Sequence, residues 1–216
     1  MPIETIKTIL TLVSGLCWTL VYIEGIRLGI RDRSYAIPFY ALALNLAWEL
    51  LHAYLGLRET IGLQAIINAV WFLFDIGILY TYFKYGRKYF PANLASMFVP
   101  WSILGLFTTF WIQYAFVREF GTFAGAAYAA FLQNLLMSVL FIGMLVRRGN
   151  IEGQSLTIAV SKWLGTLAPT ITFGMIGSNT LSGPNFFILV VGILCSIFDL
   201  IYIWMLYRYS RQLSRI

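Results

Sequence analysis

Charge is scarce in this sequence. Only 11% of its 216 residues are Asp, Glu, Lys or Arg, against about 25% in an ordinary soluble domain. A soluble fold could not hide the 60% that are hydrophobic, because its exterior would stay apolar. Cysteine is almost missing. Cys17 and Cys195 both stand inside apolar runs, where they read as small buried hydrophobes. A disulfide scaffold is thereby excluded, and so are a soluble enzyme and a disordered chain. One histidine leaves no His/Cys spacing for a metal, and neither a phosphate-binding loop nor a nucleophile elbow occurs.

What the chain has is long apolar runs. A membrane span needs about 20 mostly apolar residues. The runs 6–29, 36–55, 62–83, 94–116, 123–146, 155–178 and 185–207 meet that need, and their links are too short for a second domain. Residues 1–216 therefore read as one all-α transmembrane domain, a seven-transmembrane helix bundle. The first run is too long for a signal-peptide core and continues into Arg27, Arg31 and Arg33 instead of a cleavage site.

The net charge of +6 would suggest nucleic acid in a soluble protein. Here the bases sort by side. Lys7, Arg58 and Arg118 fall at the N-terminus and in the even-numbered links. Arg27, Arg31, Arg33, Lys84, Arg87, Lys88, Arg147, Arg148, Arg208, Arg211 and Arg215 fall in the odd-numbered links and at the C-terminus. The positive-inside rule puts the N-terminus outside and the C-terminus in the cytoplasm. Lipid is the expected surrounding and nucleic acid is not an expected partner. Compact links suggest a bacterial cytoplasmic membrane.

An Asp at mid-span costs roughly 2.5–3.5 kcal/mol, so deep acids need a reason. Glu24 lies one turn from Arg27 and reads as an interfacial ion pair. Glu49, Asp75 and Asp199 are deep. Asn45, Glu49 and either His52 or Ala53 share a helix face, with Trp48 beside them. Asn68, Trp71 and Asp75 share another, and Ser196, Asp199 and Tyr202 a third. The fifth run adds Gln133, Asn134 and Ser138. Four polar stripes turned inward would enclose one polar pocket. Glu49 and Asp199 would differ in depth by roughly 8 Å. Asn45, Asn68, Gln113 and Asn134 serve equally well as interhelical hydrogen bonders. His52 reads as an interfacial hydrogen bonder, and Lys162 as a snorkelling cation near the cytoplasmic end of the sixth run. Gly25–Gly29 and Gly121–Gly125 fit close helix packing. A neutral carboxyl in a dry, aromatic-lined pocket could protonate a hydrocarbon, whose cation the rings would stabilise. Proton-coupled transporters use the same ingredients.

The segment Asn45-Leu46-Ala47-Trp48-Glu49-Leu50-Leu51-His52 resembles the Trp-Glu motif in the second span of the integral-membrane terpene cyclases. These comprise fungal meroterpenoid cyclases of the pyripyropene type and bacterial relatives acting on prenylated indoles. Val70-Trp71-Phe72-Leu73-Phe74-Asp75 is similar to that family's third span, and Ser196-Ile197-Phe198-Asp199-Leu200-Ile201-Tyr202 to its last. The resemblance implies proton-initiated cyclisation of a prenylated, for example farnesylated, aromatic such as an indole, with no cofactor and no metal. It implies Glu49 and Asp199 as the essential acids, with Glu49 as donor and Asp199 tuning, relaying or replacing it. Asp75, Asn45, Trp48, Trp71, Asn134 and Tyr202 would support them. The Asp-rich motifs that ionise a prenyl diphosphate and the Asp-x-Asp-Asp run of soluble protonating cyclases are both missing. Two rivals share the topology. A small transporter is supported only by the echo of Phe74-Asp75 in Phe198-Asp199. A retinal-type protein would need a lysine in the last span, which has none.

Overall fold

The structure, a computed structural model, describes residues 2–59 and 63–213. They are predominantly helical, with no strand among the described residues. The long helices are α1 (Ile3–Arg31), α2 (Phe39–Glu59), α3 (Leu63–Tyr85), α4 (Phe98–Arg148), α5 (Leu156–Pro169) and α6 (Phe186–Leu213). Four segments are long and apolar enough to cross a membrane: Ile3–Arg31, Gln64–Tyr89, Ala92–Arg148 and Phe186–Gln212. Large apolar side chains such as Leu16, Leu73, Val146, Phe186 and Trp204 stand exposed along them. In water that surface would drive association; in lipid it is the solvated face. The protein is an all-α integral membrane protein.

The fourth and fifth apolar runs form one element, α4, which doubles back on itself. Gln113 Nε2 donates to Gln133 Oε1 at 2.6 Å although the two are 20 residues apart, a separation of about 30 Å along a straight helix. The reversal is at Gly121 (φ 79°, ψ 167°), backbone essentially reserved for glycine. A Cβ on Gly125 would lie 2.5 Å from the Phe116 carbonyl oxygen, so the limbs touch backbone to backbone. Gly121→Ala is therefore expected to destabilise the protein by about 1–3 kcal/mol. A lowered thermal midpoint in detergent checks it.

Local chemistry sets the other ends. Gly149 closes α4 in the left-handed conformation, its N–H on the Leu145 carbonyl at 3.0 Å. Ser155 caps α5, its Oγ accepting from the Ile158 N–H at 3.2 Å. Pro169 ends the α-helical part of α5, and a π-helical turn (Thr170–Ile176) follows. Proline has no N–H to bond the carbonyl four residues back. That carbonyl, of Gly165, instead accepts Ser14 Oγ at 2.7 Å, tying α5 to α1. The Gly25–Gly29 expectation holds: a Cβ on Gly29 would lie 2.9 Å from Thr81.

The links after α1, α3 and α4 are knitted together at one end. The Arg148 guanidinium lies 4.2 Å and 4.1 Å from the Tyr35 and Tyr89 ring centroids and donates to the Tyr35 and Glu152 carbonyls. Lys88 pairs with Glu152 at 2.8 Å, and Gly153 N–H donates to Asp32 at 2.9 Å. Lys88, and then Tyr89, hold the Glu152 carboxyl below its ordinary value of 4.5. Glu24 pairs with Arg27 at 2.7 Å, as expected for an interfacial pair.

Candidate active site

A cavity of about 490 Å³ opens between α1, α2, α3, the second limb of α4 and α5. Leu10, Ser14, Gly56, Gln64 and Thr122 line the part toward the end of the bundle opposite the Arg148 knot. Its inner part is walled by Trp18, Tyr22, Trp48, Trp71 and Glu49. The rings are placed by one another and by hydrogen bonds. Tyr22 lies 6.0 Å from Trp71 and 6.3 Å from Trp18, centroid to centroid. Trp48 Nε1 donates to the Ala126 carbonyl at 3.0 Å, and Trp71 Nε1 to Thr19 Oγ1 at 3.2 Å. Both tryptophans thus present fixed faces to the cavity.

Glu49 is almost wholly buried, and its carboxyl meets Tyr22, Asn45 and Asp75. The Tyr22 hydroxyl donates to Oε1 in a short hydrogen bond, and Asn45 Nδ2 donates to the same oxygen at 3.1 Å. Asn45 also donates to the Tyr22 oxygen at 2.6 Å and to Asp75 Oδ2 at 3.0 Å. The Glu49 and Asp75 carboxyl groups also hydrogen-bond to one another, which requires one of them to carry the proton. Asp75 is fully buried behind Asn45 and is absent from the cavity lining. Among the described residues no ion pair reaches Glu49 or Asp75. The i, i+4 stripe of α2 and the stripe of α3 do face each other, as their spacing implied.

The α6 stripe goes elsewhere. Asp199 does not line the cavity. It accepts from Lys162 Nζ at 2.8 Å and 3.0 Å, with both side chains almost inaccessible. The expected meeting of Glu49 and Asp199 in one chamber is thus corrected: α5 lies against α6, and its lysine takes the aspartate. The snorkelling reading of Lys162 is corrected with it, because the ammonium stays inside the bundle, donating also to Ser138 Oγ at 2.7 Å. Tyr202 is no cavity residue either. Its hydroxyl donates to Gln154 Oε1 at 2.9 Å, in the link leading to α5. Asn134 does line the cavity, with Oδ1 unpartnered. His52 lines it too, its ring tilted against that of Trp48 with centroids 4.7 Å apart, and its Nε2 has no partner. Cys195 is buried and Cys17 half-buried, both free. No group of three His, Cys, Asp or Glu side chains among the described residues could hold a metal ion.

Tyr22 is a site residue that the polar pattern of the sequence does not single out. The signal was there: Trp18, Tyr22, Gly25 and Gly29 recur at i, i+4, i+7 and i+11, one face of α1. Gln133 was noticed without a task.

Residues 1–212 match the family of Pyr4-like transmembrane terpene cyclases. The chain is 33% identical to the Pyr4-family terpene cyclase mfmH of Annulohypoxylon moriforme, over 76% of this chain and 68% of that protein. It is 30% identical to the terpene cyclase ascF of Acremonium egyptiacum, over 93% of this chain and 81% of that one. It is 26% identical to the terpene cyclase pyr4 of Aspergillus fumigatus, over 94% and 87%. No solved structure matches it. With a match running nearly end to end and an aromatic cavity closed by a buried acid, the chain belongs to the Pyr4-like transmembrane terpene cyclases.

Proposed function

We propose that this terpene cyclase protonates a terminal olefin or epoxide of a prenylated aromatic, such as a farnesylated indole, and guides the resulting cation to ring closure without a metal. Glu49 is the proton donor. The observation that carries this is a buried carboxyl on the cavity wall with no cation beside it: Oε1 accepts from Tyr22 and Asn45, and the carboxyl also hydrogen-bonds with that of Asp75. Two carboxyl groups sharing one Asn45 amide, with no cation beside them, hold a proton between them, because two bare charges in a dry site cost too much. Trp18, Tyr22, Trp48 and Trp71 supply ring faces to a passing cation. The cavity lies within the usual range for small molecules, about 300–1,000 Å³.

The balance is one proton in at the olefin or epoxide and one out at the end, so the product is an isomer of the substrate. Asp75 stands where it could return a proton to Glu49 through their shared surroundings. Asp199 serves as the counter-ion of Lys162. That pair supports the cavity wall, since Ser138 accepts from Lys162 and itself donates to the Asn134 carbonyl at 2.9 Å.

The bundle crosses the membrane seven times, α4 twice, with the N-terminus outside and the C-terminus in the cytoplasm. The knotting of the links after α1, α3 and α4 at one end, where bases concentrate, supports that sidedness. Compact links favour a bacterial cytoplasmic membrane, whereas the three relatives named are fungal.

Turnover of a farnesylated indole, with and without its terminal epoxide, in D2O tests the reaction. From the olefin, the expected product carries one carbon-bound deuterium in place of one hydrogen; from the epoxide, the deuterium goes to the new hydroxyl and exchanges away. Olefin-derived product without carbon-bound deuterium refutes protonation, and an inert wild type on every prenylated aromatic refutes the substrate class.

A further inference from the structure

The cluster around Glu49 does not stand alone. A chain of side-chain amides leads to it from α4. Gln113 Nε2 donates to the Leu44 carbonyl at 3.1 Å and to Gln133 Oε1 at 2.6 Å. Gln133 Nε2 donates to Asn45 Oδ1 at 3.1 Å. Asn45 Nδ2 then faces Tyr22, Glu49 and Asp75. All three amides are buried.

The direction of this chain is settled by its first member. A side-chain amide can be turned end for end, exchanging oxygen and nitrogen, but a backbone carbonyl accepts only. Gln113 must therefore turn its NH2 toward Leu44. The same NH2 meets Gln133, which must present oxygen there and nitrogen to Asn45. Asn45 must in turn present oxygen to Gln133 and nitrogen to the carboxyl groups. The Tyr22 oxygen accepts from Asn45, so its own hydrogen goes to Glu49 Oε1. Tyr22 thus donates to Oε1, and the two hydrogens of the Asn45 NH2 are shared among the Tyr22, Glu49 and Asp75 oxygens.

We infer that Gln113 and Gln133 are positioning residues of the reaction: their one-way amide chain, anchored on the Leu44 carbonyl, turns the Asn45 NH2 toward the Glu49 and Asp75 carboxyl groups and holds Glu49 Oε1 as an acceptor. This deepens the reading of Glu49 as donor and rests on it. After transfer the same donors face the carboxylate, so the charge left behind meets N–H and O–H dipoles that need no reorganisation. The limbs of α4 carry Gln113 and Gln133, and their reversal at Gly121 is what brings the two amides together.

The test uses the full-length protein in detergent, without substrate and then with a farnesylated indole. Infrared difference spectra between wild type and Glu49→Gln isolate the carbonyl stretch of protonated Glu49. In Gln133→Leu, Asn45 is free to turn over, the carbonyl loses a donor, and the band is expected to move to higher frequency. Turnover is expected to fall at least about tenfold, with KM changed less than about twofold, since general-acid placement acts on the chemical step. Gln113→Leu/Gln133→Leu removes both amides at once and leaves no orphan between them, so it carries the test if the single variant fails to fold. A band that stays in place in a folded variant, or no such band in wild type, overturns the inference. Unchanged turnover in a folded variant does so as well. If Glu49→Gln keeps full turnover, it is the donor reading that fails, whatever the band does.

Discussion

Glu49→Gln is expected to lower turnover about a hundredfold to ten-thousandfold while the protein stays folded. Glutamine has nearly the same shape as a neutral glutamic acid. Its carbonyl oxygen can still accept from Tyr22 and Asn45, as Oε1 does. Its amide nitrogen would take the place of Oε2, buried close to Asp75. What is lost is a proton that can leave. The thermal midpoint should therefore stay close to that of wild type while product formation collapses. Turnover at the wild-type rate in Glu49→Gln would remove Glu49 from the reaction.

The second large effect concerns stability. Lys162 and Asp199 form an ion pair whose side chains are 1% and 2% exposed. Removing one partner of such a pair strands the other charge, at about 3–5 kcal/mol. Lys162→Met and Asp199→Leu are each expected to unfold the protein readily, with midpoints lowered by many degrees. The double variant Lys162→Met/Asp199→Leu should recover most of the loss, because an apolar pair of similar volume replaces a charged one. Activity then separates two roles. A counter-ion leaves the refolded double variant active, and an acid in the reaction leaves it folded and inert. Thermal unfolding and turnover of the three variants, measured side by side, decide it. The 2.8 Å contact with Lys162 and the absence of Asp199 from the cavity lining favour the first outcome.

The contrast between Glu49 and Asp199 shows where periodicity stops informing. Both acids stand deep in apolar runs beside polar residues at helical spacing. Spacing tells which residues share a face of one helix, and there it succeeded: Asn45 and Glu49 act together, and Asn68 and Trp71 face the same cavity. It cannot tell which helix that face meets. The face of α6 meets α5, and its aspartate finds a lysine. Lys162 misled because a long cation near a run's end can reach either water or a buried partner, and the chain alone does not say which. Tyr202 followed Asp199 to the wrong place for the same reason.

The amino-acid sequence by itself determined that this protein is helical and lives in a membrane. Scarce charge and long apolar runs admit no other way to satisfy the backbone. It also determined that Glu49 and Asp75 need a reason to be where they are, since charge in the bilayer is costly. Only the tertiary structure decided which acid faces the cavity, which is paired off, and that Tyr22 and two glutamines complete the first. The physical reason is that hydrophobic burial in a bilayer constrains each helix separately, whereas a site is made by side chains from different helices. Their meeting depends on close approaches, at Gly29 against Thr81 and across the Gly121 reversal, that no single helix encodes.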